Sequence, residues 1–159
     1  MRKNKYTIKS NIFIQNNYNN WRNIYHYGNK DGERMPAMWI YPNNPWKMYW
    51  RIDTSSKNDD GFSFDIPSRY RKFNTSIEIK VKVKGNKQVY VSNGTQNVGS
   101  GNVNVVAYVN GIVAGTWNKN TVMKLYLGKK FYIKDPWYNR TGYTVSNVSI
   151  KGVDKIDVK

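Results

Sequence analysis

Polar and apolar residues alternate along much of this chain. The clearest case runs from Ile77 to Lys84. Ile77, Ile79, Val81 and Val83 fall on one side, and Glu78, Lys80, Lys82 and Lys84 on the other. A period of two marks a strand with one packed and one wet face, as in antiparallel sheets. Gly85-Asn86 follows as a turn, which makes Lys87 to Val91 the expected hairpin partner. Val103–Val109 and Ile112–Trp117 flank Asn110-Gly111, the signature of a type I′ hairpin turn. Strands are also predicted over Thr7–Ile14, Trp21–Tyr27, Val122–Leu127 (ended by Gly128) and Tyr143–Ile150. Between Arg34 and Asp53 two aromatic strands surround a Pro42-Asn43-Asn44-Pro45 turn. No window of the length of a helix shows a helical stripe.

Short strands at regular spacing predict an all-β, two-sheet antiparallel sandwich. The 159 residues make one domain, over 1–159, long enough to bury a core without cross-links. The expected core is Ile77, Ile79, Val81, Val83, Val109, Leu125, Leu127, Val145 and Val148, with Trp39 and Trp117 as large anchors. Two stretches read as long loops: Thr54 to Asn74, which is polar, and Ser92 to Asn102, rich in Gly, Asn and Ser.

The net charge of +16 changes the picture of partners. A chain this basic is drawn to polyanions: nucleic acid, anionic membrane, sulfated or uronic-acid glycans, or acidic protein surfaces. Asn, Lys, Tyr and Ile are abundant and all have AT-rich codons, so codon composition is a second source of the lysine excess. Cysteine is absent, which excludes thiol chemistry, disulfides and cysteine zinc sites. No run of apolar residues reaches the roughly 20 a spanning helix needs, so membrane insertion is not expected. Tyr6 to Tyr18 is too polar for the core of a signal peptide, and the chain reads as untargeted, or as targeted by assembly with partners.

Four segments in order resemble the concanavalin A-like lectin/laminin-G-like jelly roll. They are Tyr6-Thr7-Ile8, Trp39-Ile40-Tyr41-Pro42-Asn43, Ala107-Tyr108-Val109-Asn110-Gly111-Ile112-Val113-Ala114-Gly115 and Lys124-Leu125-Tyr126-Leu127-Gly128. Asp135-Pro136-Trp137-Tyr138 followed by Gly142 to Ile150 is similar to the family's closing strand. The resemblance covers about Tyr6 to Ile150 and is nearest to such domains encoded by large DNA viruses and some protists. It implies a non-catalytic, lectin-like recognition or assembly module in the virion or the cytoplasm of an infected cell. Its partners would be glycans, acidic protein surfaces, or capsid and virion proteins. The fold also carries glycosidases, peptide-binding modules and spacers, so function has to be read from the site.

Catalytic relatives carry a Glu-x-Asp-x-(x)-Glu strand, and this chain has only Glu33 and Glu78, without that pattern. A glycosidase would therefore need an Asp pair such as Asp53 and Asp65. His26 is the single histidine and is expected to pack or to sit at a solvent edge. For sugar binding, Trp137, Tyr138, Asn139 and Arg140 combine rings with hydrogen-bonding groups. Asn43, Asn44 and Trp46 form a second such set. Calcium needs six to eight oxygens, for which Asp59 and Asp60 in Asn58-Asp59-Asp60-Gly61 are candidates, as is Asn29 to Glu33. Lys80, Lys82, Lys84 and Lys87, and Lys124, Lys129, Lys130 and Lys134, supply a charged surface for the alternative reading, a basic nucleic-acid-associated protein.

Overall fold

The computed structural model describes residues 5–86, 88–90, 100–125, 128–152 and 157–158, with 88–90, 125 and 157–158 described by backbone alone. Leu127, expected in the core, lies outside the described residues, as do Lys87 and most of the Ser92–Asn102 stretch. Among the described residues, thirteen strands and one 3-10 turn follow in order: β1 (Lys5–Ile14), β2 (Arg22–Tyr27), β3 (Ala37–Tyr41), β4 (Asn44–Ile52), β5 (Asp60–Asp65), the turn Ser68–Tyr70, β6 (Ser76–Gly85), β7 (Gln88–Tyr90), β8 (Val103–Val109), β9 (Ile112–Lys119), β10 (Met123–Leu125), β11 (Lys130–Ile133), β12 (Tyr143–Lys151) and β13 (Asp157–Val158).

The molecule is an all-β sandwich. One sheet has the order β12-β1-β6-β8-β9, the other β13-β11-β2-β3-β4-β5. Every pair in them is antiparallel except the short β11–β13 pair. The inward residues of both sheets form one apolar cluster. Ile8, Ile12, Ile77, Ile79, Val81, Val83, Val105 and Val109 come from the first sheet, and Met38, Ile40, Met48, Trp50, Phe64 and Phe131 from the second. Val145, Val148 and Trp117 pack against this cluster half-buried. Trp39 is a correction: it is 1 % exposed but stands outside the core cluster. Met38 and Ile40, its neighbours on β3, face the core, so the pleat turns Trp39 to the outer face.

The Asn110-Gly111 hairpin forms as expected, with φ of 48° and 82° at the two turn residues and β8 paired to β9. Gly85-Asn86 does not close a hairpin. Both edges of β6 are taken, by β1 and β8, and the Asn86 N–H instead donates to the Asn102 carbonyl at 3.1 Å. β7 pairs in parallel with β10. The polar stretch Thr54 to Asn74 is also corrected, because it contains β5. There Phe62 and Phe64 face inward, and Gly61 and Ser63 pair with Arg51 and Tyr49 of β4.

Candidate functional site

The outer face of the second sheet is built by the same alternation that fills the core. On β4, Met48, Trp50 and Ile52 point inward, which turns Lys47, Tyr49 and Arg51 outward. Tyr49 is paired with Trp39 of β3, and Tyr132 of β11 with His26 of β2. A sheet face this rich in rings is capped rather than left to solvent. The loop 28–36 supplies Asp31, Glu33 and Arg34, and the loop 134–142 supplies Asp135, Trp137 and Tyr138.

His26 anchors both loops. It is fully buried, with Nδ1 2.8 Å from Asp135 Oδ2 and Nε2 2.5 Å from the Glu33 carbonyl. The Asp135 N–H donates to Asn23 Oδ1 at 3.0 Å, a second tie between the 134–142 loop and β2. The His26 ring also lies edge-on to Trp39 and Trp137, with centroids at 5.6 and 5.1 Å. Of packing and solvent-edge placement, both open in the sequence, the geometry shows packing.

These ties frame a half-open cleft of about 180 Å3 lined by Trp21, Arg34, Trp39, Tyr49, Asp59 and Tyr138. Its polar groups are fixed in a chain. The Tyr138 hydroxyl donates to Asp31 Oδ1 at 2.7 Å, and Arg34 donates to the Asp31 carbonyl and to the Asp59 carboxylate. The Tyr49 hydroxyl donates to Asp59 Oδ2 at 3.1 Å. The Arg34 guanidinium lies 4.4 Å over the Trp39 ring and that of Arg51 3.7 Å over Tyr49, cation–π geometry for both. Trp21 closes one side, 5.0 Å from Tyr49 and 4.7 Å from Tyr41. The buried Trp39 Nε1 has no hydrogen-bond partner among the described residues.

Burial and neighbouring charge shift three of these groups. Burial raises the Tyr138 hydroxyl, and the neighbouring Asp31 charge raises it further. Burial also raises Tyr49, with Arg51 opposing and Asp59 adding to the shift. For Arg34, burial works against the charged form, but the contact with Asp59 outweighs it and the net shift is upward. The cleft lining thus sets the hydroxyls of Tyr49 and Tyr138 beside one oppositely charged pair, Arg34 and Asp59. Asp59 adopts a left-handed backbone with φ of 58°, a conformation Asp tolerates, held by its N–H donating to Asp53 Oδ1 at 3.0 Å.

The residues expected to bind ligand are distributed unevenly. Tyr138 lines the cleft, and Trp137 stands beside it at 38 % exposure, edge-on to Tyr132. Asn139 Oδ1 instead accepts the Thr141 N–H and hydroxyl, closing a local turn, and Arg140 is exposed. The second set is taken up by structure. Asn43 occupies the turn with φ of 58°, Asn44 Oδ1 accepts the Trp46 N–H, and Trp46 packs on Phe73 and the core.

The residues considered for calcium are engaged elsewhere. Asp59 holds Arg34 and Tyr49, whereas Asp60 accepts from Lys119 at 2.7 Å and Thr54 at 2.9 Å. Asp31 holds Arg34 and Tyr138, and Glu33 pairs with Lys129 at 2.9 Å. Among the described residues no three His, Cys, Asp or Glu side chains form a group that could hold a metal ion. Asp53 and Asp65 do not pair. Asp65 sits opposite Lys47 of β4, and Asp53 follows Ile52 at the end of that strand, six residues and roughly 20 Å further along.

The sequence reading missed Trp21, Arg34 and Tyr49, took Trp39 for a core anchor, and named Asp31 only within a calcium segment. The available signal was the Lys47, Tyr49, Arg51 series, a wet strand face bearing a ring between two cations instead of plain solvating residues. No family model matches the chain, and neither a curated protein nor a solved structure matches it.

Proposed function

We propose that this protein is a non-catalytic glycan-recognition module that seats a neutral sugar ring in the Trp21–Tyr138 cleft. The observation that carries this reading is a ring-lined cleft whose polar groups are already oriented by each other. A pyranose has an apolar C–H face and a hydroxyl rim. Rings such as Trp21 and Tyr49 suit the first, and the Arg34, Asp59 and Tyr138 groups suit the second. In ligand sites a few placed polar groups fix orientation, the part Arg34, Asp59 and Tyr138 would take here. The volume is below the ~300–1,000 Å3 of pockets for drug-sized ligands, which fits one ring with its neighbours lying over Trp21 and Trp137. The balanced charge favours a neutral sugar over an acidic one. This reading accords with the concanavalin A-like resemblance, and within that fold it assigns the binding role to the outer sheet face.

Titration of neutral oligosaccharides by tryptophan fluorescence tests it. We expect saturable binding that persists in high salt. Trp21→Ala should weaken it by about tenfold or more, the scale of losing a central aromatic contact. Tyr138→Phe should weaken it only a few-fold, as for one neutral hydrogen bond. A panel of neutral sugars giving no salt-resistant, Trp21-dependent signal would sink the reading.

A further inference from the structure

The opposite side of the sandwich carries a surface of different chemistry. On the outer face of the first sheet, β1 places Lys5, Thr7 and Lys9 directly against Lys84, Lys82 and Lys80 of β6, and Lys151 of β12 lies against Thr7. The inward residues of β1 and β6 are buried, so these six lysines share the outward face. Strands lie about 4.8 Å apart and same-face residues about 6.8 Å apart along a strand, so the grid is compact. Among the described residues the one acid beside them is Glu78, 3.7 Å from Lys9. Thr7 within the grid, and Thr116 and Asn118 on β9 beyond it, add hydroxyl and amide groups to the same face.

We propose that this face docks the phosphate backbone of duplex nucleic acid without reading its sequence. Packed lysine charge is complementary to a duplex, which presents one negative charge per ~1.7 Å of axis and releases counterions when neutralised. Lysine together with Thr and Asn is the side-chain set that contacts phosphate oxygens. A flat sheet face offers no element to enter a groove, so base edges go unread. Single-stranded nucleic acid fits less well, because it binds by stacking on free rings. Tyr108 is the ring beside the lysines, and Lys80 and Lys82 cover it at 4.8 and 5.5 Å. A lipid surface also fits less well, because interfacial anchoring joins basic charge to an apolar face. The strongly exposed apolar residue on this face, Val113 at 54 %, stands opposite Tyr108 as a single side chain and makes no apolar face. The proposal is independent of the cleft.

Fluorescence anisotropy with labelled duplexes of about 20 base pairs and two unrelated sequences tests it. Both should bind equally. With about four phosphates neutralised, affinity should fall on the order of 100-fold between 50 and 200 mM salt. Reversing Lys80, Lys82 and Lys84 to Glu should cut affinity at least tenfold and flatten the salt dependence. Reversing the exposed Lys57, Arg69 and Lys72 changes net charge equally and should leave affinity within about twofold. Changing Lys5, Lys9 and Lys151 to Gln on the neighbouring strands repeats the test should the first variant fold poorly. Equal loss from the Lys80 and Lys57 sets would mean that the charge acts diffusely, and would overturn the assignment. So would tighter binding, at equal salt, of a sulfated oligosaccharide or of phosphatidylserine vesicles than of the duplex. Trp21→Ala should leave duplex binding unchanged.

Discussion

Asp59 and Asp60 are adjacent, yet their carboxylates serve different parts of the molecule. Asp59 belongs to the cleft. Asp60 is buried at the start of β5, where it accepts from Lys119 of β9 and so ties one sheet to the other. Burial alone would raise the Asp60 carboxyl, but the bonds from Lys119 and Thr54 outweigh it and hold the group below its ordinary range. A carboxyl lowered in the folded state adds stability above its unfolded pKa, and that stability is lost as pH falls through the folded value. Asp60→Asn should therefore destabilise the protein by about 1–3 kcal/mol at pH 7, the scale of a hydrogen bond to a charged group. The gap from wild type should narrow as pH approaches 3. Thermal unfolding of both proteins across that range checks this, and a gap constant with pH would contradict it. Sequence adjacency suggested two oxygens for one cation. What it could not show is that Asp59 turns in the left-handed region before the strand begins, which separates the two carboxylates.

At the scale of elements, alternation was legible wherever one face meets the core and the other meets water. β1, β6, β8, β9 and β12 all stand close to where the pattern put them. β5 escaped because its two inward phenylalanines lie inside a polar stretch, and β11 because four residues are too few to show a period. Pairing was harder to read than existence, since the partner of β6 depends on which strands return from far along the chain. Trp39 illustrates the same difficulty at the site. A buried Trp on a strand reads as core, and only the loops folded over the outer face make burial and site compatible. The β8–β9 turn is the element whose local chemistry is most explicit. Asn110 takes a positive φ, and its Oδ1 accepts the Glu78 N–H at 2.9 Å while its own N–H donates to the Glu78 carbonyl at 2.9 Å. Asn110→Ala should cost about 1–2 kcal/mol, because a Cβ without a helpful amide disfavours the left-handed region. Asn110→Gly restores the conformation but not the side-chain bond, and should cost less. Urea unfolding of the two variants separates the contributions; equal losses would leave the bond to Glu78 as the main term.

At the scale of the whole molecule, the two sheets meet most tightly where β9 crosses β5, and that contact lies directly beneath the cleft's support. A Cβ added at Gly115 would come within 2.9 Å of Phe64 Cβ and 3.1 Å of the Phe62 ring. Neither atom can yield freely, because both phenylalanines pack in or against the core and Phe62 also meets Trp50. Gly115→Val must then push β5 outward, at the 1–3 kcal/mol typical of overpacking. Ser63 lies between the two phenylalanines on the outer face, where it bonds the Tyr41 hydroxyl at 2.8 Å, and Tyr41 packs on Trp21. Displacement of β5 therefore reaches the cleft through one hydrogen bond and one ring contact. The lysine grid on β12, β1 and β6 is separated from β9 by β8 and should not feel it. We expect Gly115→Val to lower the unfolding midpoint and weaken sugar binding several-fold while duplex binding stays unchanged. Parallel titrations of the variant with sugar and duplex check this. A variant that loses stability but keeps wild-type sugar affinity would show that the cleft is held by its loops, through His26 and Asp135, and not by the packing of the sheet beneath it.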